Sequence, residues 1–170
     1  MEDRGWVASP DEADFRQVYE QAFPIVYRVA YRFCGRREAA EHAAQEAFAR
    51  AFERWGRLRA EPWVVGWVVT TALNIVRRGA RREPEPSRDA REPAYQGMDV
   101  EAELDLWRAI RELPKRQAEA VVLHYVVDLP VAQVAEVMGC REGTAKAHLG
   151  RARERLARLL ELAESRREER

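Results

Sequence analysis

The sequence predicts an all-α fold: two small helical domains joined by a flexible linker, the second a helix-turn-helix domain. Three observations carry this. Apolar residues recur at steps of three and four in every long segment. Residues 83–97, "EPEPSRDAREPAYQG", hold three Pro, one Gly and many charges, and divide these segments into two blocks. Near the C-terminus, a short periodic segment, a Gly-containing turn and a longer periodic segment follow one another.

The first block predicts three helices. Phe15, Val18, Tyr19, Ala22, Phe23, Val26, Ala30 and Phe33 share one face, with Pro24 expected to kink or break the helix. Over 37–55, Ala44, Ala47, Phe48, Ala51, Phe52 and Trp55 make a single stripe. Its other side carries Glu38, Glu41, His42, Gln45, Arg50 and Glu53. The segment 62–78 is ambiguous locally. Its β-branched Val64, Val65, Val68, Val69, Thr70 and Thr71 favour a strand. Its length, and Pro62 where a first turn would begin, favour a helix. Helix is the reading adopted, because two preceding helices need a third layer to close a core.

The second block predicts four helices. Leu104, Trp107, Ile110 and Leu113 keep helical spacing up to Pro114. A helix over 116–127 follows, and then Val131, Val134, Ala135 and Met138, with Gly139 expected to end that element at positive φ. The last helix begins near Glu142, with Ala145, Leu149, Ala152, Leu156, Leu159 and Ala163 as its apolar stripe. The expected organisation is a tail over 1–12, a domain over 13–82, a linker over 83–101, a domain over 102–160 and a charged tail over 161–170, "ESRREER" being a frayed helix end.

The net charge is zero, with 29 Lys plus Arg against 29 Asp plus Glu, and alone it points to no nucleic-acid partner. The charges are segregated, however. Residues 54–82 hold seven Arg and one Glu, 83–105 two Arg and eight acids, and 141–158 six bases and two acids. Cys34 and Cys140 stand apart, outside any CxxC or metal-ligand spacing, which fits a reducing cytosol. The polar first ten residues do not read as a secretory leader. The longest apolar run, 63–76, falls short of the roughly 20 residues a membrane helix needs. His42, His124 and His148 lack second ligands at a metal spacing. No nucleophile–base pair or phosphate loop appears, so neither an enzyme nor a cofactor is expected.

On the last helix, Ala147, Gly150, Arg151, Glu154 and Arg158 point away from the stripe, with Lys146 and Arg153 on one flank and His148 and Arg155 on the other. The N-terminal half of that face, Lys146, Ala147, Gly150 and Arg151, is the part that enters a major groove in a helix-turn-helix. Arg bonds guanine bidentately or neutralises phosphate, and Lys more often does the second. Backbone N–H groups at Gly143 and Thr144 would serve a phosphate.

The stretch "LPKRQAEAVVLHYVVDLPVAQVAEVMGCREGTAKAHLGRARERL" resembles region 4 of the extracytoplasmic-function (ECF) group of bacterial sigma-70-type sigma factors. It supplies Leu113, Pro114, Leu123, Val134, Ala135, Glu136, Gly143, Thr144, Lys146, Leu149, Arg151, Ala152, Arg153 and Leu156 of that pattern. "EAAEHAAQEAFARAFERW" is similar to the region 2 helix that binds the polymerase clamp. "PWVVGWVVTTALNIVRR" is similar to the segment that captures the −10 element, matching at Trp67, Ala72, Asn74, Arg77 and Arg78.

The resemblance implies a non-enzymatic, cytoplasmic subunit that binds bacterial core RNA polymerase, recognises −35 and −10 promoter elements, promotes DNA melting and is open to control by an anti-sigma factor. It places Glu41, His42, Gln45, Glu46 and Phe48 at core polymerase, although the place of Phe48 in the apolar stripe favours the hydrophobic core for that residue. Trp67, Asn74, Arg77 and Arg78 fall at the −10 element, where Asn74 matches a residue before the loop that pockets a flipped base. Arg81 and Arg82 extend that set along the phosphates. Trp63 and Trp67 read as packing residues before base stackers. His124, Arg141, Thr144, Lys146, Ala147, His148, Gly150 and Arg151 fall at the −35 element. The acidic linker would run near the polymerase active-site channel.

This chain departs from the pattern in places. His42 stands where an acid is usual, Gly150 where a larger side chain is common, and Pro130 replaces Ser or Thr, with Asp128 the substitute cap. The competing readings are a stand-alone helix-turn-helix regulator and a degenerate sigma-like interaction protein.

Overall fold

The structure, a computed structural model, describes residues 10–80 and 100–168, all of it helix and turn. The linker and its Arg81 and Arg82 lie outside the described residues, as does most of the N-terminal tail.

Four helices form the first unit: α1 (Pro10–Cys34), α2 (Arg37–Glu53), the single turn α3 (Trp55–Leu58) and α4 (Val64–Ala80). α1, α2 and α4 pack mutually around a common core. On α2 the buried residues are Ala40, Ala43, Ala44, Ala47, Phe48 and Ala51, so its backbone approaches its neighbours closely. Val68, Val69, Ala72, Leu73 and Val76 fill the layer from α4, and Val26, Val29 and Ala30 from α1. Phe48 is 2% exposed and stacks edge-on with Tyr19 at 4.8 Å, the core position expected of it.

α1 runs unbroken through Pro24. Proline removes one backbone donor, and here both Pro24 and Glu20, whose carbonyl loses its partner, are exposed, so water meets the need. α1 ends at Gly35, whose φ of 69° sends its N–H to the Tyr31 carbonyl at 2.7 Å.

The segment 62–78, ambiguous on propensity, is helix. Val64, Val68 and Val69 are buried in the core of the unit, and tertiary packing overrides the local preference of the segment.

The second unit holds α5 (Val100–Glu112), α6 (Lys115–Val121), α7 (Val131–Met138) and α8 (Glu142–Glu168). α6 widens into a π turn over Val122–Val126, where the Val127 N–H reaches the Val122 carbonyl at 3.0 Å. α8 packs on α5, α6 and α7 through Ala145, Leu149, Ala152 and Leu156. Its C-terminal residues remain helical through Glu168, most of the way along the stretch expected to fray, and Arg167 ties back to Asp105 of α5.

Gly139 caps α7 at φ 61°, with the Cys140 N–H on the Ala135 carbonyl and the Gly139 N–H on that of Glu136, both 3.0 Å. The expected Asp128 cap does not form. Pro130 holds the N-cap position with no side-chain bond, while Asp128 takes a left-handed turn at φ 61° that re-aims the chain into α7.

The two units touch. α5 lies against α1, and α7 and the π turn lie against α4. Arg32 and Glu103 form an ion pair at 3.0 Å across this boundary, their side chains 5% and 3% exposed. Arg111 donates to the Arg32 carbonyl at 2.9 Å.

Candidate nucleic-acid interface

α7, the Gly139 turn and α8 form the expected helix-turn-helix, held by Val134, Ala135 and Met138 against Ala145 and Leu149. This burial turns the opposite side of α8 to solvent. Arg141, Thr144, Lys146, Ala147 and Arg151 are all exposed, and Gly150 is half-buried. A Cβ at Gly150 would meet nothing within 4 Å, so the small residue leaves an open notch between Lys146 and Arg151.

Two features temper the positive charge. Lys146 pairs with Glu142 at 2.7 Å, one turn back. Thr144 has its N–H on the Arg141 carbonyl at 2.9 Å, so Gly143 is the one of the two turn residues whose N–H is left to serve an anion.

Two histidines of the −35 set sit differently from the arginines. His124, in the π turn, places Nδ1 2.8 Å from the Leu129 carbonyl. A carbonyl only accepts, so Nδ1 carries a proton and donates it. That ring braces the turn. His148 is half-buried, with Nδ1 enclosed and without a hydrogen-bond partner. It belongs to the edge of the core more than to the exposed face.

On α4, Trp67, Asn74 and Arg78 recur at i, i+7 and i+11 and form one stripe. Trp67 and Asn74 are half-buried and Arg78 is exposed. Trp63 and Trp67 both pack on the core, as a packing role requires. The Arg54 guanidinium lies over the Trp67 ring at 6.0 Å, a contact without sequence signal because it joins helices across the fold. Arg54 therefore joins the candidate −10 surface.

Arg77 does not share the exposure of Arg78. Its guanidinium lies 4.8 Å over the Phe33 ring and 3.6 Å from the Glu119 carboxylate on α6. Burial lowers its pKa from the usual range and Glu119 opposes that shift.

The polymerase set lies together on α2. Glu41, His42 and Gln45 are exposed and Glu46 is half-buried. Gln45 bonds Glu41 at 3.4 Å, and Arg50 holds Glu46 at 2.8 Å. Phe52, 49% exposed, continues this face toward Phe15. Among the described residues, no group of three His, Cys, Asp or Glu could hold a metal ion, and no helix is long and apolar enough to cross a membrane.

Comparison with known proteins matches two family models in order: Sigma-70 region 2 over residues 18–83 and Sigma-70, region 4 over residues 103–156. The ECF RNA polymerase sigma factor SigM of Mycobacterium tuberculosis, in strains H37Rv and Erdman, is 35% identical over 109 residues. That alignment covers 62% of this chain and 56% of the relative, so the chain spans little more than half the length of the curated proteins it matches. A solved structure, the sigma factor RpoE in complex with the anti-sigma factor NepR from Bartonella quintana, superposes with a TM-score of 0.68. Its sequence identity is 25%, over 87% of this chain and 97% of that one.

Proposed function

We propose that this chain, a member of the sigma-70 family, is a promoter-specificity subunit of bacterial RNA polymerase, of the extracytoplasmic-function group. It binds core polymerase, recognises −35 and −10 elements and promotes melting between them. The observation that carries this reading is the order of the two matched regions, each presenting a basic helix face.

In this reading, 13–82 and 102–160 are the two working domains. Glu41, His42, Gln45 and Glu46 meet the clamp. Trp67, Asn74, Arg77 and Arg78 meet the −10 element, with Arg54 beside them. Arg141, Thr144, Lys146, Ala147, Gly150 and Arg151 meet the −35 element. His124 and His148 support that surface from behind. Flipping a base out of its stack costs a few kcal/mol, which a pocket near Asn74 and the polymerase together would supply. The small Ala147 and Gly150 leave few direct base contacts, giving DNA shape more weight. The factor performs no chemistry of its own, acts in the cytoplasm, and is a target for an anti-sigma protein of the kind seen with the Bartonella structure.

Run-off transcription with purified bacterial core polymerase, on DNA from upstream of this gene, tests the proposal. A discrete transcript that depends on this protein and disappears with Asn74→Ala or Arg151→Ala is expected. DNA retention by the protein alone, with neither transcript nor co-elution with core, would replace the reading with a stand-alone regulator.

A further inference from the structure

The face of α8 assigned to the −35 element has a gap at its middle. At about 100° per residue, Ala147 and Gly150 stand opposite the buried Ala145, Leu149 and Ala152. Lys146 stands on one side of them and Arg151 on the other. Ala147 and both flanking side chains are exposed. A Cβ at Gly150 would meet no atom within 4 Å, so no neighbour fills the space that the glycine leaves. The lining of this notch is apolar: the Ala147 methyl, the Gly150 Cα and the hydrocarbon stems of Lys146 and Arg151.

The two cations that bound the notch are not equivalent. Lys146 is held by Glu142 at 2.7 Å. The Arg151 guanidinium has no ion pair or hydrogen bond among the described residues, and its side chain is exposed. It is therefore available to bond guanine O6 and N7 bidentately. Ala147 and Arg151 lie one turn apart, about 6 Å along the helix at about 1.5 Å per residue. That distance spans fewer than two base pairs at about 3.4 Å each. A group seated in the notch thus belongs to a base pair within about two of that guanine.

We infer that the notch at Gly150 seats the C5-methyl of a pyrimidine, beside a guanine read by Arg151. The inference rests on the sigma-factor reading, which makes this a DNA face on the region 4 match over residues 103–156 and not on its small residues. The notch decides what that face can read. Glycine and alanine have no side-chain donor or acceptor, so they cannot tell base pairs apart by hydrogen bonds. The C5-methyl is the apolar feature of the major groove, and Ala makes apolar contact with it. Thymine carries that methyl, and 5-methylcytosine carries it at the same place. A larger side chain at position 150 would occupy the space. An interior helical glycine costs about 1 kcal/mol against alanine, so Gly150 is unfavourable for α8 unless another group must come close.

The test isolates the methyl. The full chain, assembled with core polymerase, is bound to synthetic promoter duplexes from upstream of this gene. In one series each thymine in the upstream half of the protected segment is replaced in turn by deoxyuridine, which pairs in the same way and lacks the methyl. In a second series each cytosine there is replaced in turn by 5-methylcytosine. Removing the seated methyl should weaken binding about fourfold, the transfer free energy of one buried methyl group. A loss in the first series assigns the notch to thymine. A gain of that size confined to the second series assigns it to 5-methylcytosine. Gly150→Leu, which fills the notch and favours helix, should bind the two members of the responsive pair equally. Arg151→Ala should relax the preference for a guanine within about two base pairs of that position by at least about fivefold and leave the methyl dependence in place.

Equal binding throughout both series overturns the notch. So does a methyl dependence that survives in Gly150→Leu with helicity retained by circular dichroism. Run-off transcription from the unsubstituted duplex separates this failure from that of the sigma-factor reading. A transcript without methyl dependence removes the notch and keeps that reading. Methyl-dependent retention of duplex by the chain, with no transcript, does the reverse. Neither transcript nor retention removes both.

Discussion

His124 Nδ1 donates to the Leu129 carbonyl at 2.8 Å, so this imidazole serves the chain turn that leads into α7. The bond spans the π turn and the left-handed Asp128, where the backbone leaves helix geometry and loses its regular partners. Removing the donor leaves a carbonyl poorly satisfied. His124→Ala should lower stability by about 1 kcal/mol, the net worth of one such bond. The salt dependence of duplex DNA binding should stay unchanged, since this ring is committed to the turn and not to a phosphate. Thermal denaturation and a salt titration check the two halves separately. A flattened salt slope would return His124 to the phosphate contacts.

Lys146 and Glu142 form an ion pair on the proposed −35 face. Their side chains are 64% and 50% exposed, so the pair itself adds little stability. Its effect is on DNA, because Lys146 must leave Glu142 to meet a phosphate. Lys146→Ala should reduce the slope of log affinity against log salt by about one. Glu142→Gln should raise affinity for duplex DNA by up to about fivefold, the equivalent of one weak surface pair. Filter binding across a salt series measures both, and the free chain suffices because Lys146 and Arg151 stay exposed while the domains are in contact. An unchanged slope for Lys146→Ala would remove that residue from the phosphate set.

The fold was readable from sequence where burial and periodicity coincide. The stripe Ala145, Leu149, Ala152 and Leu156 faces the core, and Gly139 adopts the positive φ its position demanded. Two local signals misled, each for a physical reason. Pro24 faces water, so its lost bond does not break α1. Asp128 has the chemistry of a cap but is turned away by its left-handed backbone. The bond of His124 to a carbonyl five residues on follows from the π turn, which periodicity does not report. The domain contact left no sequence signal. Arg77–Glu119 and Gly66–Leu129 join residues more than forty positions apart, and helical periodicity reports only which side of a helix is covered, not by what.

Two glycines of the helix-turn-helix should respond to alanine in opposite directions. At Gly139 a Cβ meets no atom within 4 Å, so space is not the issue; its φ of 61° is. The left-handed conformation costs an L-residue roughly 1–2 kcal/mol, and Gly139→Ala should lower the melting temperature accordingly. Gly150 lies within α8 and its Cβ site is equally open. There alanine gains helix propensity, and Gly150→Ala should stabilise by up to about 1 kcal/mol. Parallel thermal melts of the two variants decide the matter, and the same sign for both would contradict the assigned backbone.

Cys34 lies half-buried at the end of α1, its thiol donating to the Arg36 carbonyl at 3.4 Å. Burial raises its pKa, and the Arg36 bond and the charges of Arg36 and Arg111 only partly offset that rise. The reactive species is the thiolate, so a raised pKa means a smaller reactive fraction at pH 8. Iodoacetamide should therefore modify Cys34 more slowly in the folded chain than after denaturation in guanidinium at the same pH. Mass spectrometry of the modified peptide over time follows the difference, and the native rate should climb toward the denatured one as pH rises through the elevated pKa. Equal rates at pH 8 in the two states would mean that the end of α1 is open to solvent and that the packing of α5 against it does not persist in solution.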